Sequence, residues 1–434
     1  MAKEWRNWAG DQACLPARIE SPSSLAELVT VVTAAAKEGA GVRAVGHGHS
    51  FTDIACTGGV LIDPRGLGRV LDVDADASTV KVEAGIGLRT LNETIWGNGM
   101  ALENLGDIDK QTISGAISTG THGTGSRFRN ISSQVVGMEV VLADGTLHEI
   151  TEESDPDGLL AARVGLGALG IIATVTLRTV PAFTIHRIDS PLPLDETLDR
   201  IDDLADGTDH FEFYVFPHTE TALLRQSERT NEEPQPKNPL TRFATDVVAE
   251  NWVMGGIARL GRARPERIPQ LAGFVSRQLG RTTTVDRSYR VYASQRRIRF
   301  TEMEYAIPRR YAAEAVPRVL EAAEKAEPGV GFPIEVRFVA GDEAMLSPTH
   351  ERDACYIAVH QYKGMPWEPY FRAVEEIMDS YGGRPHWGKR HFQTAETLAE
   401  RYPRWEDFKA VRARLDPSGA FANEYTDRVL GPVA

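Results

Sequence analysis

Apolar and polar positions divide the chain into two stretches of different rhythm. In the first ~180 residues, at the usual size of one domain or a little more, short strand and helix patterns alternate through glycine-rich joints. Ser24-Leu25-Ala26-Glu27 reads as a capping box opening a helix whose apolar period runs through Val31 and Val32 and stops at Gly39. Strands are expected at Val42–Val45, around Val60–Ile62, at Val80–Val82 and at Met138–Leu142, with a helix beginning near Leu88 after the turn Gly85-Ile86-Gly87. Leu169–Leu177 alternates cleanly, and Val180-Pro181 reads as a boundary. Beyond it the alternating stretches lengthen, as in Phe211–Phe216 and Phe300–Ile307, and long helical stretches separate them. Asn231–Pro239 reads as a proline-rich exposed loop, and no internal repeat is visible.

A length of 434 residues allows two or three cores, and two domains are the simplest division. Hydrophobic content of 42% and charged content of 25% describe an ordinary globular chain. The excess of 61 acidic over 48 basic residues argues against a phosphate-tracking surface, so no nucleic-acid partner is expected. No stretch reaches the roughly 18 apolar residues of a membrane span, and the polar start Met1–Gln12 has no signal core. Cys14, Cys56 and Cys355 are an odd number without metal spacing, so a reducing cytoplasmic setting is expected, with neither a disulfide framework nor a zinc site.

Candidate chemistry begins with glycine. Gly165-Leu166-Gly167-Ala168-Leu169-Gly170 spells a dinucleotide fingerprint but has a helical stretch before it and a strand after it, the reverse of what the fingerprint needs. Close helix-to-strand packing explains it better. Gly46-His47-Gly48-His49-Ser50 follows a strand, yet Phe51 stands where a third glycine would be. What remains is a small-residue loop whose amides can approach an anion, and Ser114–Gly125 offers the same with added hydroxyls. Two such loops can close on one pyrophosphate, although glycine-rich turns also occur without any ligand. His47, His49 and His122 lack a carboxylate or cysteine to complete a metal set, and His386 and His391 are no better placed, so no metal is expected.

Strand geometry sorts a second group. In Ile334–Val339, Ile334, Val336 and Phe338 face one way and Glu335 and Arg337 the other. Taken alone, that pair reads as a solvated sheet face. In Cys355–Tyr362, Tyr356, Ala358, His360 and Tyr362 share a face, and His360 by itself reads as a core histidine.

The segment Val45-Gly46-His47-Gly48-His49-Ser50-Phe51-Thr52-Asp53 resembles the flavin-attachment loop of the aldonolactone oxidoreductases, relatives of the alditol oxidases within the vanillyl-alcohol-oxidase-type flavoproteins. The likeness continues through Asn104–Asp107, Gly115–Gly125, Phe300–Pro308, Ile334–Arg337, Tyr356–Tyr362 and Pro385–Lys389, and so spans the chain. It implies an α+β, two-domain architecture: residues 1–180, completed by about 385–434, binding FAD, and an antiparallel cap over 181–384 binding substrate. The resemblance puts an 8α-histidyl bond to FAD at His49, where plant galactonolactone dehydrogenases, which hold FAD non-covalently, lack the histidine. His47 departs from the small residue more usual at its position. Gly46, His47, Gly48, Ser50, Gly106, Ser114, Gly115, Thr119, Gly120, Thr121, His122, Gly123 and Ile172 are the implied cofactor contacts.

The same resemblance implies Glu335, Arg337, His360 and Lys389 as catalytic residues and Asp107 and Tyr362 as substrate contacts. The implied reaction is hydride transfer from a carbinol carbon of a sugar lactone, at C2, giving an ascorbate-type product. Oxygen or another acceptor would reoxidise the flavin, and the glycine at Gly106 is associated with oxygen access. Alditol oxidases carry a small hydroxyl residue where Asp107 stands, which favours a lactone over a polyol. A nucleotide-binding protein without redox activity would share the glycine loops but would have no use for Glu335, Arg337 and Lys389.

Overall fold

The helix expected behind Ser24 runs Leu25–Lys37. Ser24 Oγ accepts from the Glu27 amide at 3.2 Å, which closes one half of the capping box. The other half is displaced by one residue: the Glu27 carboxylate accepts from the Ser23 amide at 2.8 Å and the Ser23 hydroxyl at 2.9 Å. Gly39 follows the helix at φ +67°, the left-handed conformation that glycine adopts without strain. The buried stripe Leu28, Val32 and Ala35 packs on a parallel sheet ordered Arg18–Glu20, Val60–Ile62, Val42–Ala44. This computed structural model describes residues 3–236, 254–293 and 298–433. Of the proline-rich stretch, 231–236 has no regular secondary structure and is mostly exposed, while Lys237–Pro239 lies outside the described residues.

A second sheet is antiparallel, in the order Leu147–Thr151, Val135–Val141, Ile171–Arg178, Thr79–Glu83, Val70–Asp74. The helix Leu88–Gly97 starts directly after Gly87, as its spacing predicts. Before the strand Ile171–Arg178 comes the helix Pro156–Ala162, so Gly165–Gly170 is a packing turn: a Cβ on Gly170 would lie 2.4 Å from Val140. The run Ser114–Gly125 is not loop throughout. Its first part belongs to a helical turn, Ile113–Ser118, because Thr112 Oγ1 accepts from the Gly115 amide at 3.3 Å and Ile113, Ala116 and Ile117 are buried.

Residues past Val180 build an eight-stranded sheet in the order Thr282–Arg287, Thr184–Pro193, Thr221–Thr230, His210–Val215, Ile334–Val339, Ala354–Tyr362, Phe300–Pro308, Arg384–Pro385, antiparallel at every pairing. One face carries Phe211, Phe213, Val336, Phe338, Ile357, Val359, Met303 and Tyr305 into a core shared with the helices Ala312–Lys325 and Glu368–Asp379. Period-2 alternation sends Glu212, Tyr214, Glu335, Arg337, His360, Glu302 and Glu304 to the other face. The chain then returns: Trp387, Leu398, Phe408, Tyr425 and Val429 join the core of the first 180 residues. Among the described residues no helix is long and apolar enough to cross a membrane.

Arg43 ties these pieces together. It is 3% exposed, and its guanidinium donates to the carbonyls of Ile54, Leu166, Gly167 and Phe421 at 2.6–3.0 Å. Burial brings its pKa down to about 10, so it stays charged at neutral pH. Arg43→Met removes every one of these donors and leaves the carbonyls dry. It is expected to lower stability by about 3–5 kcal/mol, read as a shift of the urea midpoint against wild type.

Candidate active site

The strand Val42–Ala44 delivers the loop 45–50 to one wall of a cleft of about 920 Å³, and Ser114, Gly115, Thr119 and Ile172 form the facing wall. Small residues are required here. A Cβ on Gly46 would come within 2.2 Å of Thr112 Oγ1, and Gly48 holds φ +66°, where a Cβ would also lie 3.1 Å from the Trp5 ring. Of the residues expected around a cofactor, Gly46, His47, Gly48, His49, Ser50, Ser114, Gly115, Thr119 and Ile172 line this cleft. Gly106, Gly120, Thr121, His122 and Gly123 do not. Gly123 is instead a packing glycine, whose Cβ would meet Leu105 O at 2.2 Å, and a Cβ on Gly106 would meet Thr121 at 2.9 Å. A cleft lined by glycine amides and the hydroxyls of Ser50, Ser114 and Thr119 suits a phosphate-bearing cofactor.

His49 stacks on Trp8 with ring centroids 5.5 Å apart and makes no side-chain hydrogen bond among the described residues. Burial, reinforced by His47, Lys110 and Lys389, lowers its pKa to about 4, so the imidazole is neutral and holds a free lone pair at neutral pH. His47 is exposed, whereas His122 is buried. The Nδ1 of His122 lies 2.8 Å from Gly123 O, its Nε2 lies 3.1 Å from Glu304, and its ring stacks on Tyr356 at 3.7 Å. His122, Glu304 and His386 come within metal-ligand spacing, a grouping not visible in the sequence. The His122–Glu304 pair and a hydrogen bond from the Gly388 amide to His386 Nδ1 at 3.0 Å account for that closeness.

The polar face of the eight-stranded sheet holds the second half of the site. Register sets Glu212 opposite Arg337, Tyr214 opposite Glu335, and Glu302 opposite His360. Glu335 and Arg337 are 4% and 7% exposed, so the rest of the protein closes over the face that alternation alone would leave solvated. Arg337 Nε donates to Glu212 at 2.9 Å, one terminal nitrogen donates to Glu335, and the same nitrogen lies 3.5 Å from Asp107. The Tyr214 hydroxyl sits 3.0 Å from Glu212 and 2.9 Å from Glu335, and Arg225 donates to Glu212 at 2.8 Å. Burial alone would lower the pKa of Arg337, but Glu335, Glu212 and Asp107 raise it well above the ordinary value. For Glu212, burial pushes upward and the two arginines win, bringing it down to about 2.

Lys389, on the returning chain, pairs with Glu302 at 2.5 Å, and His360 Nε2 lies 3.5 Å from the same carboxylate. Burial opposes the charge on Lys389, and Glu302 and Glu304 more than offset it, so its pKa is raised. Asp107 acts electrostatically on His49, Arg337 and Lys389 alike, which marks it as the meeting point of cleft and sheet. Tyr362 stands apart: its ring faces Phe332 at 6.3 Å and lines a separate apolar cavity. Glu212, Tyr214, Arg225, Glu302 and Glu304 escaped the sequence reading. The alternation of Phe211, Phe213 and Val215 carried the signal for the first two, since it forces Glu212 and Tyr214 onto the opposite face.

Known proteins resemble this chain over its whole length. Residues 16–151 match an FAD binding domain, and residues 175–429 match D-arabinono-1,4-lactone oxidase. The L-gulono-1,4-lactone dehydrogenase of Mycobacterium tuberculosis is 53% identical across 100% of both chains, and the L-gulonolactone oxidase of Mus musculus is 36% identical across 98% of both. A solvent-stable cholesterol oxidase shares the fold at a TM-score of 0.82 and 19% identity, covering 99% of this chain and 97% of its own. The buried arginine and lysine thus sit beside an FAD-binding half in a chain that belongs to the D-arabinono-1,4-lactone oxidase family of FAD-dependent oxidoreductases.

Proposed function

We propose that the protein oxidises an aldonolactone of the L-gulono-1,4-lactone type at C2, using FAD bonded through its 8α carbon to His49. The observation that carries this reading is Arg337, a charged guanidinium buried among Glu335, Glu212 and Asp107 and facing the half of the molecule that holds the cofactor cleft. In this reading residues 1–180 with 385–434 bind FAD, and 181–384 bind the substrate. The unpaired state of Cys14, Cys56 and Cys355 suits a cytoplasmic setting.

When bound, FAD supplies the hydride acceptor at N5. Arg337 would hold the C2 oxygen with its fixed fork and stabilise the alkoxide charge on it as the hydroxyl proton is lost, to Glu335 or to solvent, and the hydride leaves C2. Glu335 and Glu212 fix the direction of that fork, and the Tyr214 hydroxyl holds the two carboxylates together. His360, tied to Glu302 and 3.3 Å from Pro333 O, contacts the substrate hydroxyls, and Lys389 supplies positive charge at the pyrimidine edge of the flavin. Neutral His49 has the free lone pair that an 8α bond requires. Asp107 favours a lactone. The product is a 2-keto lactone that tautomerises to an ascorbate-type compound. Oxygen or another acceptor would then reoxidise the flavin.

Steady-state assays are expected to show turnover of L-gulono-1,4-lactone well above xylitol or sorbitol, and polyol turnover alone would defeat the lactone reading. In the same assay Arg337→Lys keeps the charge but loses the fork, and kcat/KM is expected to fall by about 10²–10³-fold. His49→Ala should release its flavin on denaturation, whereas wild type keeps flavin fluorescence in the protein band of an acid-soaked gel. Fluorescence that stays with the variant polypeptide would put the bond elsewhere.

A further inference from the structure

Residues 254–281 differ in charge from the rest of this acidic chain. They contain Arg259, Arg262, Arg264, Arg267, Arg277 and Arg281 against a single acid, Glu266. All six arginines are exposed, and among the described residues none has an ion-pair partner. Set aside, they leave the remainder of a chain of net charge -13 more acidic still. The segment folds as two helices, Met254–Ala263 and Ile268–Ser276, joined by a tight turn at Pro265–Arg267. Ile257, Ile268, Leu271 and Val275 face an apolar cavity of about 570 Å³ closed by Phe332 and Tyr362. Leu260 and Phe274 instead face solvent at 40% and 53% exposure, and Phe274 is the one aromatic residue among the large hydrophobics exposed in the described residues.

An arginine-rich segment, basic on its first helix, in its turn and beyond its second helix, that also exposes Leu260 and Phe274 has the chemistry of a surface that settles on anionic lipid. We propose that residues 254–281 dock the protein on an anionic bilayer, with Leu260 and Phe274 entering the headgroup boundary and the arginines facing lipid phosphates. Two features favour lipid over an acidic protein. The cations stand on the first helix, in the turn and just past the end of the second helix, and Leu260 and Phe274 are the only large exposed hydrophobics of the segment among the described residues, fewer than the apolar centre of a protein interface needs. Because the rest of the chain is acidic, the same bilayer repels other orientations and turns this face inward.

The test uses the full-length flavoprotein and co-sedimentation with vesicles of phosphatidylcholine containing roughly one quarter phosphatidylglycerol. Binding is expected at low salt, with loss at high salt and none to pure phosphatidylcholine. Each arginine near such a surface strengthens partitioning about fivefold, so Arg259→Gln with Arg277→Gln should weaken it roughly 25-fold. Leu260→Ser with Phe274→Ser should weaken it by about tenfold or more. Unchanged flavin absorbance and melting temperature would show that both double variants remain folded. Absence of binding to the anionic vesicles, equal binding by the variants, or capture by polyglutamate without vesicle binding would each overturn the proposal, the last in favour of an acidic protein partner. The docking does not depend on the chemistry proposed above, and its failure would leave that reading untouched.

Discussion

A guanidinium removed from water must be given counter-charges and acceptors, and much of this structure follows from meeting that requirement at Arg337. Taking an arginine or a carboxylate into a protein interior costs several kcal/mol per ion unless hydrogen bonds replace the lost water. Glu212, Glu335 and Asp107 meet the requirement, and Tyr214 and Arg225 complete the circle around Glu212. These groups come from three neighbouring strands and one loop, so the cluster exists only if the strands hold their register. A slip of one residue would turn Glu335 and Arg337 into the hydrophobic core and Val336 out of it.

Two parts of the chain are brought together by the same electrostatics. The loop 45–50 presents neutral His49 on the cleft side, the sheet presents Arg337 on the other, and Asp107 lies between them. Lys389 arrives on the returning C-terminal stretch and is kept charged by Glu302 and Glu304, which stand side by side on one strand face. That return is anchored by apolar burial, since Trp387, Phe408 and Tyr425 complete the core begun by the first 180 residues. Burial of these aromatic side chains thereby fixes where Lys389 stands.

Local signals were readable from the sequence. The Ser24 cap, the Gly39 stop, the helix behind Gly87 and the split faces of Ile334–Val339 all depend on neighbours in the chain, and all appear. Features set by distant contacts were not readable. The face bearing Glu335 and Arg337 looked solvated because nothing in six residues says what will cover it. Glu212 and Tyr214 could be assigned to a face but not to a partner, because pairing is decided between strands about 120 residues apart. Ser114–Gly125 looked like loop because glycine suggests it, whereas the Thr112 cap and buried Ile113 and Ile117 turn its start into a helix. The pairing of His122 with Glu304, 182 residues further on, was likewise out of reach of the sequence.

The central claim is that the carbon–hydrogen bond broken is the one at C2 of a lactone held by Arg337. Anaerobic mixing with L-gulono-1,4-lactone carrying deuterium at C2 tests it directly, with the fall of flavin absorbance as the readout. Slower bleaching than with unlabelled lactone is the predicted result. Equal rates, or slowing only when the label sits on another carbon, would contradict it.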